Sequence, residues 1–205
     1  GPVSLSYTVS DGQGGAVSAS QSYLVEANGP RTLFVGTGAG GYVTIQAAIN
    51  AAHAGDTILV APGTYTENLT ITTSGLTLLS SDGRDSTFIT GMQNGSALGT
   101  LVLTPGVDDV RIGALGHGFT ITGIDGISPG IEAAAVYLQG NHDGLVIQGN
   151  DVVAKGDGGL SSEFGGAITD LVVDHNIFSG QSFTGTQPGG LGFGQQFVAD
   201  NVPRQ

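Results

Sequence analysis

Cysteine and tryptophan are absent from this chain of 205 residues, and methionine occurs once. Without cysteine, disulfides are excluded, and the chain must hold itself together by packing and hydrogen bonds alone. Basic residues are also scarce. Five Lys and Arg stand against 17 Asp and Glu, a formal charge of −12, which would repel nucleic-acid phosphates and anionic lipid headgroups and argues against both as partners. No apolar run approaches the roughly 18 residues that suggest a membrane span. The remaining composition, acidic and rich in Gly, Ser and Thr, is common among secreted and surface-displayed bacterial proteins, where surface carboxylates can meet calcium.

Glycine is abundant instead, at 37 residues, with 39% hydrophobic content and a mean hydropathy of +0.17. That much apolar content can bury a core, and the length suits one domain plus a short attachment. The glycines follow no strict period, which excludes a collagen-like chain. Many tight turns between short strands account for them.

The opening Gly1-Pro2 reads as the scar of a tag-removing protease, so a piece of something larger is the expectation. Residues 3–29 come next. Leu5 to Ser10 alternates like a strand, turns through Asp11-Gly12-Gln13-Gly14-Gly15, and alternates again from Ala16 to Val25, the pattern of a β-hairpin. The wording SYTVSDGQGGAVSAS resembles the last two strands of cadherin-like or VCBS repeats of large bacterial surface proteins, over residues 5–26 only. It implies a chain once preceded by tandem β-sandwich modules.

Residues 30–205 form the second region. Ile45, Ala48, Ile49 and Ala52 fall at helical spacing, Thr44 precedes them as an N-cap and Gly55 follows as a stop, predicting one short amphipathic helix. Thr57 to Ala61 then reads as a buried strand, Pro62-Gly63 as a turn, and Tyr65 to Ile71 as a second strand. The run YVTIQAAINAAHAGDTILVAPGTYTENLTI, residues 42–71, closely resembles the N-terminal cap and first coil of pectin-lyase-like β-helices, pectin methylesterases among them. The resemblance implies an all-β right-handed parallel β-helix with one capping helix. In such a solenoid the helix covers the apolar end of the core, and Ile45 and Ile49 face the first coil.

Two later segments align without gaps at a spacing of 26, Leu145 to Val153 with Leu171 to Ser179. That is about one coil. Leu145/Leu171 and Ile147/Val173 are expected inside, with Gln148/Asp174 outside. Asn150 and Asn176 are expected at a bend, tolerating the left-handed conformation and bonding to each other between coils. Val110 to Thr122 reads as the preceding coil, with two extra residues at its bend. Residues 185–205 are Gly- and Gln-rich and offer no amphipathic helix to cover a last coil, so further coils, or self-association through the C-terminal coil, are expected.

Candidates for chemistry are sparse. Gly63, Tyr65 and Glu67 match a GxYxE motif of the first coil of pectin methylesterases, but the Asp, Gln and Arg set that works in that family cannot be placed, so the match speaks for fold. Asp174-His175 resembles a pectate-lyase motif with Val172 where Trp belongs, and Arg111 is an arginine that such proton abstraction could draw on. Asp109, Asp143 and Asp170 each fall just before an equivalent strand, a carboxylate ladder that could take calcium, with His142 beside it. Asp11 and Asp157 sit in Gly-rich turns. The reading these features favour is a non-catalytic β-helix module for adhesion, spacing or contact with a cell-surface glycan. The rival is part of a polysaccharide-processing lyase, hydrolase or epimerase. A groove lined by Asp, His and Arg from three successive coils would favour the rival; scattered carboxylates without a groove would favour the module.

Overall fold

The computed structural model describes residues 2–10, 12–24, 29–38, 40–93, 98–124, 134–155, 158–163 and 165–180. Asp11, Asp157 and the tail from 185 to 205 lie outside the described residues. The chain divides into two units, residues 1–31 and 32–205. In the first, Pro2–Ser10 and Ala16–Leu24 pair antiparallel, with Ser10 opposite Ala16 at the turn. Gly12 and Gly14 both take positive φ between them. The expected hairpin is therefore present.

The second unit is a right-handed parallel β-helix built from three main parallel sheets that the chain visits in rotation. The first sheet stacks Thr32–Val35, Thr57–Val60, Thr77–Ser80, Arg111–Ile112, Val146–Gln148 and Val172–Asp174. The second stacks Gly63–Thr66, Thr87–Thr90, Thr120–Thr122, Asp151–Ala154 and Ile177–Gly180. The third stacks Leu69–Ile71, Gly99–Leu103, Ala134–Leu138 and Gly158–Ser162. Val146, Ile147 and Gln148 pair in register with Val172, Val173 and Asp174, which gives the 26-residue step a physical basis. Leu145 and Ile147 are buried, and Leu171 and Val173 pack against the same core.

The helix spans Ile45–Ala51, and Thr44 caps it by accepting the Ala47 N–H at 3.2 Å. Ile45 and Ile49 are fully buried and share the core with Ile58, Ile71 and Leu78. Each such side chain contributes roughly 1.5–3 kcal/mol by leaving water. The helix is also tied to the first coil by polar bonds. Glu67 turns both carboxylate oxygens to the free N–H groups of Ile45 and Gln46, at 2.9 and 3.0 Å, where the positive end of the helix favours a negative charge. Gln46 in turn accepts from the Thr70 N–H at 2.7 Å and donates to its carbonyl at 3.1 Å.

This use of Glu67 corrects one expectation. Tyr65 to Ile71 is not a single strand but two, Gly63–Thr66 and Leu69–Ile71, in different sheets. The corner between them is what carries Glu67 to the helix. Tyr65 donates its hydroxyl to the Ala61 carbonyl at 2.9 Å, bridging the turn that Gly63 allows. Burial, with the Glu67 charge adding to it, pushes the Tyr65 phenol above its ordinary pKa. Gly63, Tyr65 and Glu67 thus make up a structural clasp.

Candidate functional site

Two corners flank the first sheet, and both carry residues singled out in the sequence. At the corner leading into it, Gly75, Asp109, Gly144 and Asp170 take positive φ. Register places Arg111 beside Thr77 and Val146, and Val146 beside Val172, so those four form one column. Asp143 stands one residue out of it, in the column of Ser74, Asp108 and Thr169. The ladder of Asp109, Asp143 and Asp170 does not form, because Gly144 intervenes between Asp143 and its strand. The carboxylates in this second column are occupied locally. Asp108 accepts the Asp143 N–H at 2.8 Å, and Asp143 accepts the Thr169 hydroxyl at 2.6 Å. His142 is not beside them: its side chain is buried, with Nδ1 2.7 Å from the Val107 carbonyl oxygen. Among the described residues, no group of three acidic or histidine side chains is placed to hold a metal ion.

At the corner leaving the first sheet, Asn150 and Asn176 are buried and linked. Oδ1 of Asn176 accepts from both the backbone N–H and Nδ2 of Asn150, at 2.9 and 3.1 Å. Asn150 passes the pattern on, accepting from the Phe119 N–H at 2.9 Å and donating to the Ile112 carbonyl at 2.9 Å. The amide ladder is as expected, but the left-handed residues are their neighbours, Gly149 and His175. A side chain at 149 would strike the backbone of Ala114.

The length of this corner changes from coil to coil. Leu78 and Phe88, ten residues apart, are matched by Ile112 and Thr120, eight apart, and by Ile147 and Asp151, four apart. The third coil thus carries four extra residues at its bend rather than two. The two long loops overhang the short corners and enclose a cleft of about 340 Å³, lined by Asp82, Gly83, Arg84, Asp85, Leu115, Gly116, Gly118, Gly149 and His175. That lies at the small end of the roughly 300–1,000 Å³ usual for ligand sites.

Charged groups converge here. Nδ1 of His175 lies 2.6 Å from Oδ1 of Asp174, off the line a hydrogen bond requires, so the contact works through charge once the ring is protonated. Gln148 donates to the other Asp174 oxygen at 2.8 Å and accepts from Arg111 at 3.4 Å. The Gln148 hydrogen bond, then His175, holds the Asp174 carboxyl below the usual range. Asp174, His175 and Arg111 therefore belong to one polar chain along the coils, although only His175 reaches the cleft. Arg84 donates to the Asn150 carbonyl at 3.5 Å. On the adjoining strand, burial pushes the Asp151 carboxyl up; Arg84 pulls it down, Asp85 raises it further and a Ser179 hydrogen bond lowers it. Oδ1 of Asp151 is buried without a hydrogen-bond partner.

Asp82, Arg84, Asp85, Leu115 and Asp151 were not singled out from sequence. Their signal is the difference in loop length between aligned coils, visible only once the register is known. The outward column of the third sheet offers a contrast, with Thr70, Val102, Tyr137 and Ser161 in register. Val102 and Tyr137 there join Ala134 in a separate buried apolar cluster.

Among solved structures, the chain is similar to a pectin methylesterase from Aspergillus niger, at 22% identity over 77% of this chain and 56% of that one, with a TM-score of 0.48. It is similar to the pectin methylesterase of Erwinia chrysanthemi at 18% identity, over 72% and 46% of the two chains, TM-score 0.46. A third, a pectin methylesterase mutant in complex with a hexasaccharide, is matched at 18% identity over 69% and 48%, TM-score 0.48. The chain spans about half the length of these proteins. No protein-family model matches it, and neither does any curated protein. The cadherin-like resemblance of the hairpin finds no support in these comparisons.

Proposed function

We propose that this chain is the sugar-handling part of a polysaccharide-processing protein, with the substrate held in the cleft beside the Asn corner. One observation carries the reading: Asp82, Arg84 and Asp85 from one coil, Leu115 from the next and His175 from two coils further on line a single concavity. A spacer or adhesin would have its carboxylates scattered over the surface, without a groove. A cleft with carboxylates, a guanidinium and an imidazole has the groups that glycan chemistry uses: donors and acceptors for hydroxyls, and side chains able to move a proton. His175, with its Nδ1 against Asp174, and Arg84 line the same concavity. A secreted or cell-surface setting belongs to the same proposal, since polymeric glycans are met there.

The test is calorimetry against a panel of neutral, acidic and amino polysaccharides, with reducing-end, ester-release and unsaturated-product assays on any that bind. Binding that His175→Ala and Asp85→Asn each weaken about tenfold, with turnover lost in His175→Ala, is the expected result. Binding without turnover would return the protein to the module reading. Binding unaffected by either substitution would remove the cleft as the site.

A further inference from the structure

The charge balance of the cleft points to a substrate class, on the condition that the cleft is a sugar site. Its two basic side chains, Arg84 and His175, both have partners within the protein. The Arg84 guanidinium donates to the Asn150 carbonyl at 3.5 Å, and its charge pulls down the neighbouring Asp151 carboxyl. His175 has its Nδ1 against Asp174. Little positive charge is left to receive an anionic sugar. The negative side is larger. Asp82 and Asp85 are both exposed and both line the cleft. Asp82 accepts the neutral hydroxyl of Ser81 at 2.5 Å and forms no ion pair among the described residues. The whole chain adds a formal charge of −12. A polyuronate, with one carboxylate per sugar, would enter against this field. An ammonium group would enter with it, and carboxylate–ammonium contacts are charge-assisted hydrogen bonds, among the stronger polar contacts in a partly enclosed site. Leu115, 58% exposed at the rim, supplies an apolar surface for the face of a sugar ring.

We infer that the cleft takes a polysaccharide bearing amino groups, with Asp82 and Asp85 receiving the ammonium.

The experiment uses the full chain and three oligosaccharide sets of equal length: glucosamine oligomers, their N-acetylated counterparts and oligogalacturonates. Affinities are measured by calorimetry at mildly acidic pH, at low and high salt. The amino oligomers should bind at least tenfold tighter than the acetylated ones and weaken as salt rises, and the galacturonates should bind least. The Asp82→Asn/Asp85→Asn double variant should lose that preference while its melting temperature stays close to the parent's. A preference that survives in the double variant would show attraction by the surface at large and overturn the inference. Equal binding of amino and acetylated oligomers, or tighter binding of galacturonates, would overturn it while leaving a sugar site in place. Absence of binding to all three sets, and to every polysaccharide of the wider panel, would remove the sugar site itself.

Discussion

The two corners of the first sheet meet the same backbone demand with opposite chemistry. Each turns the chain through residues of positive φ, Gly149 and His175 among them at one, Gly75, Asp109, Gly144 and Asp170 at the other. At the first corner the next residue is an asparagine sealed from water, whose amide must both give and receive. A carboxylate there would be a buried charge with one oxygen turned against a carbonyl oxygen, that of Ile112 or Ile147. At the second corner the residues face solvent, so Asp108 and Asp143 can spend single lone pairs on a backbone N–H and a hydroxyl and leave the rest to water. Burial, not backbone shape, decides which polar residue each corner carries.

The largest expected effect comes from breaking the buried corner. Asn150→Ala leaves the Phe119 N–H and the Ile112 carbonyl without their partner, and should cost about 3 kcal/mol, or roughly 10 °C in melting temperature. Asn176→Ala removes the acceptor of both Asn150 bonds and the donor to the Ile147 carbonyl; chemical denaturation should register about 2 kcal/mol. If either variant melts with the parent, the ladder is ornamental. A smaller effect of opposite sign is expected at the exposed corner, where Asp109→Gly relieves the left-handed cost of a side chain and should stabilise by about 0.5 kcal/mol. Destabilisation there would mean that the Asp109 carboxylate has a structural task.

Acid separates the corners further. The Asp151 pKa is raised in the folded protein, so its contribution to stability is fully present below the unfolded value near 4 and lost as pH rises through the folded value. Asp151→Asn should therefore raise the melting temperature by a degree or two at pH 7 and converge with the parent in acid. The smallest effect is expected from metal. With Asp143 out of the column of Asp109 and Asp170, calcium and chelator should give melting curves within about 1 °C; a clear calcium-dependent rise would put a cation site back at the exposed corner.

How much of this was legible in the sequence depended on whether one residue could reveal its own surroundings. Ile45, Ile49 and Thr44 could, because helical spacing and a cap are local patterns. Asn150 and Asn176 could, because two coils of equal length align without a gap. The Asp109, Asp143 and Asp170 column failed by one residue: Gly144 occupies the place where the ladder needed a carboxylate. Glu67 was found as a motif, but its task was hidden because the N–H groups it meets belong to Ile45 and Gln46, some twenty residues earlier. The cleft was least visible of all. It arises from the drop in corner length between Thr120 and Asp151, a relation between coils that no single segment contains.

His175 has a consequence for how such a site could change. It shares a column with Gly149, and both positions turn the corner with the same backbone sign. One presents a ring to the cleft and the other lies against the Ala114 backbone. Because neighbouring coils lie about 4.8 Å apart, moving the ring to the other coil would slide the reactive group along the axis by one coil without redrawing a strand, once the loop carrying Ala114 is trimmed back. Lengthening or trimming an overhanging loop would deepen or open the cleft with equally little disturbance to the core. The β-helix thus works as a graduated rail, on which a functional group can be set at discrete stops.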